Sequence, residues 1–182
     1  MTYYGGKELA AAFRTVRNNT ITIATEIPEE QYDFKASPDV RSIRDTLAHI
    51  ALSTLFAKHV HVNKIVDMKT VNFQELMGTM TAEQAKPRTK AEVVDLLQAD
   101  GDAFASYLEG LDDGFLAETV TMMPGVEPAI KSRFELLLGP KEHEMHHRGQ
   151  LMLMERMIGI VPHLTRNFQE RMARMQAAQA GR

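Results

Sequence analysis

Residues 131–158 read KSRFELLLGPKEHEMHHRGQLMLMERMI, and this stretch decides what fold the chain can adopt. Leu136, His143, His147, Gln150, Leu151, Met154 and Ile158 fall at helical spacing on one side of a single α-helix. The spacing predicts that helix from about Lys131 to Ile158, with Gly159 as its C-cap, Ile160 as the accompanying apolar contact and Pro162 as the stop. Pro140 lies inside the span, so a kink is expected there rather than a new start.

Working towards the N-terminus, Thr119–Val120–Thr121 followed by Pro124–Gly125 suggests a short extended hairpin. Thr89 with Glu92 forms a Thr-x-x-Glu capping box that opens a helix carrying Val93, Leu97, Phe104, Leu108 and Leu111, ending near Gly110 or Gly114. Between Asp67 and Arg88 the periodicity weakens, and a long connection with one short helix is expected. Ser42 with Asp45 begins a helix running to about Val62, apolar around most of its circumference and therefore central. The first helix carries Leu9, Phe13, Val16, Thr20 and Ile23 on one face and stops at Pro28. Beyond Thr165, Phe168, Met172 and Met175 mark an amphipathic last helix whose Ala-Ala-Gln-Ala-Gly-Arg tail is expected to fray. Four long helices with almost no strand pattern predict an all-α four-helix bundle with an additional C-terminal helix.

Composition bounds the rest. With 182 residues, 44% apolar, 25% charged, 11 Gly and 7 Pro, the chain has the numbers of one globular domain spanning 1–182, its core at about 7–162 and its last helix at about 165–178. The absence of Cys excludes disulfides, Cys-ligated zinc, iron–sulfur clusters and a protein thiol nucleophile. A net charge of -3 argues against nucleic acid as a partner and favours a small molecule. No leader pattern and no long uncharged run is seen, so a soluble cytoplasmic protein with no membrane partner is expected.

Three of the seven histidines crowd one turn of the long helix. His143 and His147, four residues apart, are about 40° apart on the helix face and can converge on one point, whereas His146 lies off to the side. Their stripe is the one that supplies core residues. Two desolvated imidazoles side by side are costly unless each finds a partner, and a divalent cation satisfies both. An open catalytic site needs a third ligand, for which His49 is the candidate, with Asp45 one turn earlier to hold its other ring nitrogen. A core histidine bonded to backbone is the equal alternative for His49. His59, His61 and His163 read as surface residues.

His143-Glu-Met-His-His147 also spells H-E-x-x-H, the zincin peptidase signature, in which Glu144 activates water. The later Gly and His of metzincins are missing, and only Glu155 or Glu170 could act as a later-helix carboxylate ligand. Glu144 is otherwise a solvated or supporting residue. Gln150 lies about 20° from His143 and is placed either to bond a ligand or a ligated group, or to face outward. Gly149 suggests close helix packing, and Met145, Met152, Met154 and Met157 read as core filler rather than copper ligands.

Arg41-Ser42-Ile43 through Leu47-Ala48-His49-Ile50, together with His143-Glu-Met-His-His147-Arg148-Gly149-Gln150-Leu151, resembles the DinB-like (DinB/YfiT-like) metalloenzyme bundles, and the likeness extends to about Pro162. The resemblance implies a divalent ion, Zn or Ni, on His49, His143 and His147, usually in a homodimer. It also implies a metal-dependent transferase or hydrolase-like activity, because relatives include bacillithiol- and mycothiol-dependent S-transferases and a mycothiol-dependent isomerase. A low-molecular-weight thiol is thus an expected partner. A coordinated thiol is deprotonated at neutral pH, and a Cys-free chain takes one from outside. The competing expectations are the peptidase and a non-catalytic dimeric helical module built on the last helix.

Overall fold

In a computed structural model, which describes residues 4–180, the helices are α1 (Gly6–Glu26), α2 (Ile43–Leu52), α3 (Thr54–Val62), α4 (Phe73–Gln84), α5 (Lys90–Glu109), α6 (Asp113–Ala117), α7 (Arg133–Met157) and α8 (His163–Ala180). Helices α1, α2, α5 and α7 pack against one another as a four-helix bundle, and α3 continues the second leg beside α5 and α7. The strands β1 (Thr119–Thr121) and β2 (Ile130–Ser132) pair antiparallel, with Thr119 opposite Ser132, and form the expected hairpin.

Local chemistry sets the boundaries. The Thr89–Glu92 and Ser132–Glu135 pairs form reciprocal capping boxes at the starts of α5 and α7, satisfying amides that have no partner within the helix. Because Ser132 caps α7, the helix begins after the predicted Lys131, which belongs to β2. Helix α7 runs unbroken through Pro140. At its end Gly159 adopts φ 86°, its N–H donates to Arg156 O, and Ile160 N–H donates to Glu155 O at 2.8 Å. These two bonds are the Schellman arrangement.

The second leg departs from the single helix expected to Val62. It breaks at Ser53, because the Ile50 carbonyl accepts from Ser53 N–H, Ser53 Oγ and Arg17 Nη2, and such side-chain bonds compete with the regular ladder. The stretch after Asp67 is more ordered than its pattern suggested. Asn72 accepts from Glu75 N–H to start the 12-residue α4, of which only Met80 is buried. Helix α8 starts at His163, two residues before its expected start, and is regular through Ala180; the final Gly181 and Arg182 of the tail expected to fray lie outside the described residues. Phe168, Met172 and Met175 on α8 are exposed.

Two apolar clusters fill the bundle. One gathers Ile23, Ile43, Leu47, Ile50, Leu97 and Leu151, and the other Leu9, Phe13, Phe104, Leu108 and Leu137. Between the two sets in sequence lie Arg17 on α1, Asp100 on α5 and Glu144 on α7. A third cluster, Val60, Met68, Val71 and Val120, closes the hairpin side. Among the described residues no helix is long and apolar enough to cross a membrane.

Candidate metal centre

The rings of His49 on α2 and of His143 and His147 on α7 meet between those helices. His49 Nε2 lies 3.1 Å from His143 Nε2, which lies 3.2 Å from His147 Nε2. One nitrogen of each ring falls within 4.8 Å of the others. His147 is buried and the other two are half-buried. The i,i+4 spacing places two of the rings; only the packing of α2 on α7 supplies the third.

The outer nitrogens decide the tautomers. His49 Nδ1–H donates to Gln84 Oε1 at 3.2 Å, and His147 Nδ1–H donates to Gln150 Oε1 at 2.7 Å. A neutral imidazole has one N–H, so both Nε2 atoms present lone pairs. His143 Nε2 faces the two of them and has at most one proton to give, while its buried Nδ1 has no partner among the described residues. Protonating the rings is no remedy. Burial, with the neighbouring rings and the Arg41 guanidinium, lowers the pKa of His143 to about 4, and burial likewise lowers those of His49 and His147. Three neutral imidazoles whose lone pairs point at one another are a donor set for a divalent cation. The 3.1 and 3.2 Å separations agree, since adjacent ligands about 2.0–2.1 Å from a shared ion lie roughly 2.8–3.4 Å apart.

The structure relocates several other residues. Asp45 is exposed, and the place anticipated for it beside His49 is taken by Gln84 at the end of α4. Gln150 does bond a member of the cluster, and His146 is exposed with its ring 3.4 Å from Gln150 Nε2. Glu144 is neither solvated nor turned towards the rings. It is fully buried, with its two oxygens 3.0 and 3.1 Å from Arg17 Nε. Burial pushes its carboxyl pKa up and Arg17 opposes that shift. A carboxylate engaged in this way is not placed to activate water, which removes the basis of the zincin peptidase. Glu155, the other carboxylate considered as a ligand on this helix, is buried outside the ring cluster.

His61 and His163 are buried rather than superficial: Arg133 Nη1 donates to His61 Nδ1 at 3.3 Å, and His163 Nε2–H donates to Asn19 Oδ1 at 3.0 Å. His59 is half-exposed. Gly149 is exposed and an added Cβ would meet nothing within 4 Å, so close packing does not explain it. Met154 is core, whereas Met145 and Met157 are exposed.

Two features were missed in the sequence. Arg17 sits within the apolar stripe of α1, between Phe13 and Thr20, and that misplaced charge was a legible signal of a buried partner. The other is a cavity of about 540 Å³ opening beside His49 and His143, with mostly apolar walls from α3, α4, α7 and the hairpin that include several Met and two Phe. Its walls come from distant segments, and no local pattern announces it.

A family model described as the DinB superfamily matches residues 12–151. Among solved structures the chain is similar to a DinB-like protein from Bacillus subtilis, yjoa, with 20% identity and a TM-score of 0.61 over 84% of this chain and 92% of that one. It is similar to a DinB-like protein from Bacillus cereus, with 14% identity and a TM-score of 0.64 over 85% and 93%. YfiT from Bacillus subtilis, described as a probable metal-dependent hydrolase with an unusual four-helix bundle topology, aligns with 13% identity and a TM-score of 0.66 over 88% and 91%. No curated protein matches in sequence. At these identities the structural likeness speaks for the fold alone, but the family match takes in α2, most of α7 and all three clustered histidines, and the chain belongs to the DinB superfamily.

Proposed function

We propose that this protein is a metal-dependent enzyme acting on a small molecule, with His49, His143 and His147 holding one divalent ion, zinc or nickel. The observation that carries the reading is the convergence of three Nε2 atoms whose lone pairs have no other adequate partner. An ion bound there supplies Lewis acidity that lowers the pKa of a water or thiol sharing the site.

The chain's own residues do the rest. Gln84 and Gln150 hold His49 and His147 in the tautomer that turns Nε2 inward, the supporting role that outer groups play around ligating imidazoles. His49 and His143 also line the adjoining cavity, so a molecule bound there has one end against the rings. Hydrolysis is the reaction these features support best, and the neighbour described as a probable metal-dependent hydrolase shares the fold.

Thiol transfer is the second reading. It is favoured by a separate, more polar cavity of about 580 Å³ that includes Asp39, Arg41, Thr46 and Gln150, where a hydrophilic thiol would find partners. Dependence of turnover on added thiol separates the two reactions.

Metal content of untagged protein tests the common core of both. Wild type is expected to retain close to one ion per chain, and His143→Ala and His147→Ala to lose it at least about tenfold. Equal metal in all three overturns the proposal.

A further inference from the structure

We propose that the cavity beside the ring cluster takes an uncharged, largely hydrocarbon small molecule, aromatic or branched, whose single polar group lies at the His49–His143 end. This deepens the reading above and rests on it for the role of that polar group.

The walls include Phe56, Phe73, Met80, Met122 and Leu136, and among the described residues no Asp, Glu, Lys or Arg lines the space. Among the same residues, polar side chains reach it only from His49, Ser53, His61 and His143. Two of these are already engaged: Ser53 Oγ donates to Ile50 O at 2.8 Å, and His61 Nδ1 accepts from Arg133. What remains to face an occupant is the ring cluster at one end and the Nε2–H of His61, the proton a neutral ring keeps when its Nδ1 accepts. A hydroxyl or charge placed in the interior of the cavity, away from these groups and from its mouth, would be desolvated without a partner, at about 1–3 kcal/mol per neutral group and more per charge. A polyhydroxylated or ionic thiol is therefore a poor fit to this space, whatever occurs at the Arg41 side.

The size suits a small-molecule ligand, for which cavities of roughly 300–1,000 Å³ are usual. Met80 is 6% exposed, whereas Met77, Met123 and Val126 are 48%, 37% and 36% exposed, so the cavity opens past α4 and the hairpin loop. Thioether walls are soft and unbranched, which suits a range of apolar shapes better than one rigid outline.

Equilibrium binding of N-phenyl-1-naphthylamine, an uncharged aromatic probe, tests this by fluorescence on the metal-loaded and metal-stripped protein. The probe should bind both forms and be displaced by 4-phenylbutan-2-one but not by equimolar glutathione. Met80→Trp, which fills the interior, should weaken probe binding about tenfold or more, equivalent to the loss of about 50 Å² of apolar contact. Met77→Asp with Met123→Asp changes only half-exposed positions, keeps the test valid if Met80→Trp fails to fold, and should weaken binding several-fold. Bound metal per chain should not change in either variant. Probe binding untouched by both variants, or glutathione competing as well as the ketone, overturns the proposal. A wild type that binds the probe but holds no metal supports the cavity assignment and defeats only the metal reading.

Discussion

His49 shows how one side chain's chemistry is set by a residue far along the chain. Its Nδ1 reaches Gln84 Oε1, the last residue of α4, and that contact leaves Nε2 as the inward acceptor. Removing the amide in Gln84→Ala frees the ring to rotate or change tautomer. Metal affinity is expected to fall about 10–100-fold, as for other supporting partners of ligating histidines, with little change in unfolding temperature. Titration with a competing chelator measures it, and an affinity unchanged within a factor of two rejects the role. Glu144 teaches the reverse lesson. Its place in H-E-x-x-H is legible, but it lies about 100° round the helix from His143, and the cation on α1 that claims it decides what it does.

Helix α7 offers His143 to the cavity while an adjacent face of the helix is anchored through Glu144. Arg17 spans α1, α2, α5 and α7: Nε to Glu144, Nη1 to Leu97 O at 2.8 Å and Nη2 to Ile50 O at 3.4 Å, with Asp100 Oδ2 at 3.8 Å. Asp100 also accepts from Thr54 Oγ1 and Lys58 Nζ, both at 2.6 Å. The room for this guanidinium comes from Gly101, where an added Cβ would lie 2.7 Å from Arg17 Cγ. In Arg17→Met the Glu144 carboxyl is left buried without its cation, and breaking a buried pair from one side costs about 3–5 kcal/mol. Urea unfolding should show that loss, with more than half of it regained in Arg17→Met combined with Glu144→Gln. A single-variant cost below about 1 kcal/mol would remove Arg17 as the anchor of α7.

Stability of the whole molecule should depend on pH through two buried groups of opposite sign. Burial, with Glu26 nearby and only partial relief from Arg166 and Arg156, raises the pKa of Glu155 to about 7, and neither carboxyl oxygen has a hydrogen-bond partner among the described residues. The folded state therefore holds a proton that the unfolded chain releases nearer 4.5, and stability falls as pH rises between those values, by on the order of 2–3 kcal/mol. Burial, aided by Arg133, lowers the pKa of His61 from 6.5 to about 4, so its share is present above pH 6.5 and is lost as pH falls towards 4. Glu155→Gln should lift the unfolding temperature relative to wild type at pH 8 but not at pH 5. A difference independent of pH contradicts this account.

Much of the protein is readable along the chain because its signals are local. The capping pair at Thr89, the Gly159 stop, the stripe of α1 and the four-residue spacing of His143 and His147 depend on neighbours within a turn or two, where backbone geometry is fixed by hydrogen bonds and sterics. Helix α4 was the weak reading, because it buries only Met80 and leaves little apolar periodicity. Other assignments needed the packed molecule: Gln84 in place of Asp45, Glu144 against Arg17, the burial of His61 and His163, and the Met- and Phe-lined cavity. Each depends on which groups from remote segments share a desolvated space. There, partnership rather than residue type sets charge, tautomer and access, and it arises only when the helices come together.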